Sequence, residues 1–127
     1  MSKKTVQKIL IVEDEIVLAR ALELKLKNEG FEVELAGNGE EGFKKITKPK
    51  AKYDLILIDL IMPKMSGFEV LEKLKKTKNL SIIVTSNLSQ KEDLKKALDL
   101  GAKDYIIKSN TSLSEIVAKV KKFLKVK

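Results

Sequence analysis

The stretch "YDLILIDLIMPKMSG", Tyr53–Gly67, decides how this chain is read. Leu55, Ile56, Leu57 and Ile58 form an unbroken apolar run, the pattern of a strand covered on both faces. Asp59 follows, and after it come Leu60, Ile61, Met62 and Pro63. A carboxylate among residues of burial type costs free energy unless it is paired, hydrogen-bonded or bound to a metal. The rest of the chain must therefore supply Asp59 with partners.

Working outward, the hydrophobic period alternates. "KILIVE" (residues 8–13) reads as a short apolar strand, and Ile16 to Glu29 as a helix with Ala19, Leu22 and Leu26 on one stripe, stopped at Gly30. "FEVELA" (residues 31–36) alternates strictly. Phe31, Val33 and Leu35 are expected inward and Glu32 and Glu34 outward, which suits a sheet edge. Asn38 can cap a helix from Gly39 to about Thr47, closed by Pro49. Tyr53 to Asp59 is the central strand. Ser66, with Glu69 as capping-box partner, opens a helix running to about Lys76. "SIIVTS" (residues 81–86) is a fourth strand. Ser89 with Glu92 opens the next helix, which ends before Gly101. "DYIIK" (residues 104–108) is a fifth strand, and Thr111 or Ser112 opens a last helix carrying Ile116, Val117, Val120, Phe123 and Leu124. Five strand–helix units without a long linker predict a parallel sheet covered on both faces, a three-layer α/β domain with right-handed crossovers. Sites in open sheets of this kind form beyond the carboxyl ends of the strands.

Composition removes several function classes. The chain has 127 residues, enough for one domain with a proper core. Cysteine and histidine are both absent, so disulfides, thiolates, imidazole bases and histidine-held metals are excluded. No apolar run approaches the roughly 20 residues of a membrane span, and the basic "MSKKTVQK" leads into too short an apolar segment for a signal peptide. A cytoplasmic protein with no membrane partner is expected. The net charge is +8, and the whole excess lies in residues 64–127, where 15 bases face 7 acids. Nucleic-acid readers lean on arginine forks and aromatic platforms, whereas this chain has a single arginine, Arg20, and few aromatics. The lysines are read as a solvated surface, and direct nucleic-acid binding is not expected.

The strand ends gather the chemistry. Glu13, Asp14 and Glu15 follow the first strand, Asp59 ends the third, Thr85 and Ser86 end the fourth, and Lys108 ends the fifth. Singly, each has a plainer reading: an acid as a helix cap, Asp59 as a turn residue before Pro63, Lys108 as one lysine among many. Together they place carboxylates, hydroxyls and an ammonium at one edge. Clustered carboxylates repel unless a cation joins them, and hard oxygen ligands suit Mg²⁺. Such a site fits an incoming phosphoryl dianion attacked by a carboxylate.

The motifs "IVEDE", "LILIDLIMPKMSGFEVLEKL", "IIVTSN" and "GAKDYIIKS" resemble a response-regulator receiver domain, of the kind typified by the bacterial chemotaxis regulator, and the likeness runs from Lys8 to about Leu124. The resemblance implies a single receiver domain over residues 1–127 with a flavodoxin-like (βα)5 sandwich, its five parallel strands ordered 2-1-3-4-5. It implies that Asp59 accepts a phosphoryl group from a sensor histidine kinase or phosphotransfer protein. Asp14 and Asp59 are then direct Mg²⁺ ligands, Glu13 acts largely through metal-bound water, and the Ile61 carbonyl is the third protein ligand. Lys108 pairs with the phosphoryl oxygens. Counted back from Gly101, Ser86 rather than Thr85 is the switch hydroxyl, and Tyr105 is the aromatic switch residue. The fourth helix, fifth strand and fifth helix form the face that changes. Ile61 and Leu88 border the path of hydrolytic water, so slow self-dephosphorylation is expected.

Two positions depart from the family pattern. Ser109 stands where a proline usually follows the lysine, leaving the loop open between trans, strained and mobile forms, and Asn87 stands where a small residue is common. The domain would catalyse its own phosphorylation and slow dephosphorylation rather than act as a dedicated turnover enzyme. The alternatives are a phosphorelay or adaptor protein that never acts on DNA, a pseudo-receiver that only binds partners, and a small hydrolase, which would need a base and a second domain this chain lacks. The downstream partner is not named by the sequence. Lysines on the last helix, residues 119, 121, 122, 125 and 127, predict a monomer when unphosphorylated.

Overall fold

A computed structural model of the chain describes residues 6–77, 79–87 and 91–125. Its elements are β1 (Lys8–Val12), α1 (Ile16–Asn28), β2 (Glu32–Ala36), α2 (Gly39–Ile46), β3 (Leu55–Asp59), α3 (Gly67–Leu74), β4 (Ile82–Ser86), α4 (Lys91–Asp99), β5 (Asp104–Ile107) and α5 (Leu113–Phe123). All neighbouring strands pair in parallel, in the order β2-β1-β3-β4-β5. This is the expected (βα)5 sandwich of flavodoxin-like order.

The apolar strands build two cores because alternate residues point to opposite faces. Leu10, Val12, Ile56, Ile58 and Val84 pack with Ile46 of α2, Val70, Leu71 and Leu74 of α3, and Ala97 of α4. Ile9, Ile11, Leu55, Leu57 and Ile83 pack with Leu22 and Leu26 of α1 and with Ile116, Val117 and Val120 of α5. All five residues of β3 are buried, so the unbroken run does mark the central strand.

Several boundaries differ from the sequence reading by one or two residues. β1 stops at Val12, although the Glu13 amide still donates to the Ala36 carbonyl at 3.0 Å. β2 starts at Glu32 and β3 at Leu55, although the Asp54 amide still donates to the Lys8 carbonyl at 2.8 Å. Asp54 accepts from the Lys8 amide at 2.7 Å, and the Tyr53 hydroxyl donates to Glu34 at 2.8 Å. Glu34, expected to face solvent, is therefore tied inward across the sheet edge, with the Lys8 ammonium 2.7 Å away. Helix α3 ends at Leu74 rather than near Lys76. β5 ends at Ile107, and Lys108 opens a 3-10 turn, Lys108–Asn110, in which the Thr111 hydroxyl donates back to the Ile107 carbonyl at 2.8 Å.

Caps set the helix starts. Asn38 accepts from the Glu41 amide, and Ser66–Glu69 and Ser112–Glu115 are complete capping boxes, which selects Ser112 over Thr111. The predicted Ser89 cap lies outside the described residues. No helix among those residues is long and apolar enough to cross a membrane.

Candidate phosphoacceptor and metal site

β1 and β3 are neighbours, yet the chain leaves β1 for β2 on one side and returns to β3 on the other. The strand order reverses there, and the carboxyl ends at such a reversal are where open sheets of this kind form their sites. Glu13 and Asp14 follow β1 there, and Asp59 ends β3. One carboxylate oxygen from each of Glu13, Asp14 and Asp59 lies within 4.8 Å of the other two. Glu13 and Asp59 are each only 4% exposed.

The loop after β3 is tightly folded back. The Leu60 amide donates to the Thr85 carbonyl at 3.0 Å, and the Gly67 amide donates to the Leu60 carbonyl at 2.9 Å. A Cβ at Gly67 would collide with the Asp59 carbonyl and the Leu60 Cα, so only glycine lets the start of α3 sit against the end of β3. The Ile61 amide donates to Asp59 Oδ1 at 3.3 Å and helps orient the carboxylate.

Lys108 answers the question that Asp59 raised. Its side chain is 9% exposed, and its ammonium donates to Asp59 Oδ2 at 3.0 Å and to Glu13 Oε1 and Oε2 at 3.1 and 3.4 Å. Residues 49 and 95 positions apart in sequence to Lys108 thus share one cation. Burial alone would lower the Lys108 pKa, but the hydrogen bond and charge of Asp59, with those of Glu13, raise it above the ordinary lysine value. Burial pushes the Glu13 carboxyl up to about 7, and the Asp59 charge adds to this. The Glu15 amide and Lys108 work against it.

The remaining predicted residues fall around this centre. Thr85 pairs with Asp59 in the sheet register, and Ser86 pairs with Ile107; both hydroxyl residues are buried. They point to opposite faces, with Thr85 on the side of Ile83 and Ser86 on the side of Val84. Half-buried Tyr105 packs against the core that includes Val84, so Ser86 and Tyr105 share a face. Asp14 is partly exposed, Asn87 is exposed, and the Ile61 side chain is 58% exposed. Leu88 lies outside the described residues. The Lys108–Ser109 peptide is trans, since there is no cis peptide bond among the described residues. Sequence reasoning did not identify the sharing of Lys108 between Glu13 and Asp59, nor the backbone collision that requires Gly67. The glycine in "MPKMSG" was the available signal for the second.

A family profile described as the response regulator receiver domain matches residues 9–121. The chain belongs to that family. A curated relative of this receiver domain, the response regulator ArlR of Staphylococcus saprophyticus, is 37% identical over 118 residues, covering 93% of this chain and 52% of the relative. The chain thus spans about half the length of the curated relatives it matches. Among solved structures, a CheY-like receiver domain protein from Methanospirillum hungatei has a TM-score of 0.86 at 31% identity, covering 95% of each chain. The response regulator TrrA of Thermotoga maritima, solved with Mg²⁺ and a beryllium fluoride, has a TM-score of 0.78 at 37% identity, covering 92% of this chain and 98% of that one.

Proposed function

We propose that this receiver domain is a phosphoacceptor switch in which Asp59 takes a phosphoryl group from a phosphohistidine on a sensor kinase or phosphotransfer protein. The observation that carries the reading is the nearly buried Lys108 ammonium, hydrogen-bonded to both Asp59 and Glu13 of the acidic cluster. An Asp59 oxygen attacks phosphorus, the P–N bond breaks, and the leaving imidazole nitrogen keeps the electron pair and takes a proton from solvent. Lys108 then donates to the phosphoryl oxygens, and the Ser86 hydroxyl turns toward them. Tyr105, on the same face as Ser86, follows, and the α4–β5–α5 surface carries the change to a partner.

The donor set of three clustered carboxylates fits a hard divalent cation. Asp14, Asp59 and the Ile61 carbonyl would hold Mg²⁺ directly, with Glu13 acting through bound water. When bound, the ion neutralises charge on the phosphoryl oxygens. A pseudo-receiver would lack part of this set, whereas Glu13, Asp14, Asp59, Ser86 and Lys108 are all in the chain.

Beryllofluoride binding followed by NMR tests the reading. With Mg²⁺, the wild-type Tyr105 ring resonances should shift. Asp59→Ala should abolish the shift, Ser86→Ala should weaken it, and Thr85→Val should keep it. A shift lost in Thr85→Val and kept in Ser86→Ala would assign the hydroxyl role to Thr85.

A further inference from the structure

Glu15 has no part in the scheme above, yet its side chain is turned into the site. It occupies the N-cap position of α1 with extended backbone and makes no side-chain capping bond. Its amide donates instead to Glu13 Oε2 at 3.1 Å, which ties the turn into α1 to the acidic cluster. Its own carboxylate reaches back, placing Oε1 3.7 Å from the Lys108 ammonium. That is an ion pair, not a hydrogen bond. Glu15 is 58% exposed where Lys108 is 9% exposed, so it stands on the solvent side of a nearly buried cation.

An ammonium has three N–H donors. Asp59 Oδ2 takes one, and the two oxygens of Glu13 share another. The third is left to the solvent side, where Glu15 is the one further carboxylate within ion-pair range among the described residues. An arriving phosphoryl group carries like charge and needs that same donor.

We propose that Glu15 is a positioning residue that holds the outer side of Lys108, so that an incoming phosphoryl group must displace it. This deepens the phosphoacceptor reading and rests on it. Glu15 then sets how readily the site accepts small anionic donors, and screens out those that bring no binding energy of their own. Exposed pairs of this kind are weak, so the expected effect is about two- to fivefold rather than orders of magnitude.

The test compares wild type, Glu15→Gln, Glu15→Asp and, as a charge control on α2, Glu40→Gln. Initial phosphorylation rates are measured with acetyl phosphate and saturating Mg²⁺. Glu15→Gln should be about two- to fivefold faster at low donor, with the gain in half-saturation rather than in maximal rate, and the gain should shrink with added salt. Glu15→Asp should match it, because its shorter side chain retracts from Lys108 and is drawn to cap α1. Glu40→Gln should behave as wild type. In the metal-free proteins, the Lys108 ε-methylene NMR resonance should move in both Glu15 variants and stay in Glu40→Gln. Equal rates in all four, an unmoved Lys108 resonance, or Glu15→Asp behaving as wild type would overturn the proposal. Failure of wild type to be labelled at Asp59 strikes at the phosphoacceptor reading instead.

Discussion

Removing the ammonium of Lys108 exposes the energetic logic of the site. In Lys108→Met the stem keeps its length and apolar packing, but Glu13 and Asp59, both 4% exposed, lose their shared cation. Deleting one partner of a buried pair costs on the order of 3–5 kcal/mol, because the charge left behind is uncompensated. Glu13, already pushed up to about 7 and held down in part by Lys108, takes a proton when that cation goes. Asp59 is then the charge left behind, so the variant should lose about 3 kcal/mol in metal-free buffer. For a domain of this size that is about 10 °C in Tm. Adding Asp59→Asn to Lys108→Met removes the orphaned charge, so the double variant should be more stable than Lys108→Met by at least about 1 kcal/mol. Urea unfolding with chelator present measures both. A loss below about 1 kcal/mol in Lys108→Met, the range of an exposed pair, would show the carboxylates to be hydrated and refute the reasoning.

Other expectations follow from single contacts. Gly67→Ala should cost roughly 1–3 kcal/mol in urea unfolding, since its Cβ would meet the backbone of Asp59 and Leu60, whereas Gly37→Ala, with only an ordinary contact to Glu41, should be within about 1 kcal/mol of wild type. The Tyr53 phenol, pushed up to about 12 by burial and by its bond to Glu34, stays neutral in the fold above the ordinary tyrosine range. Its contribution to stability is therefore full below about pH 10 and lost as pH rises through about 12. Absorbance titration should show a tyrosinate step near 12 that Tyr53→Phe removes; a step that survives the substitution refutes the assignment. Ile61 is 58% exposed beside the phosphoacceptor and cannot polarise water, so Ile61→Asn should shorten the lifetime of the phosphorylated protein, read from the decay of its mass. An unchanged decay would remove Ile61 from the path of the water.

Much of this fold was legible because a parallel sheet with two covered faces leaves no room for polar alternation. The runs at Leu55–Ile58 and Ile82–Val84 could be little else than central strands, and Asp59, set at the end of such a run, marked the site by its cost. Caps were legible where a box closes, as at Ser66–Glu69 and Ser112–Glu115. The strand ends were not, because side-chain bonds join the backbone there. Tyr53 and Asp54 leave β3 to serve Glu34 and Lys8, and Lys108 leaves β5 to enter a turn that the Thr111 hydroxyl holds. Local sequence does not carry the pairings of Tyr53 and Asp54, whose partners lie 19 and 46 residues away. The same holds for the three carboxylates around Lys108. The acids placed at the strand ends showed that a cation was needed, but only the folded arrangement of β1, β3 and the turn after β5 shows which oxygens reach Lys108.

The most direct measurement is the intact mass after incubation with acetyl phosphate and Mg²⁺. The wild-type chain should gain the mass of one phosphoryl group, lose the gain when chelator replaces Mg²⁺, and show none in Asp59→Asn. Equal labelling of wild type and Asp59→Asn, or none in either, would contradict the assignment of Asp59 as the phosphoacceptor.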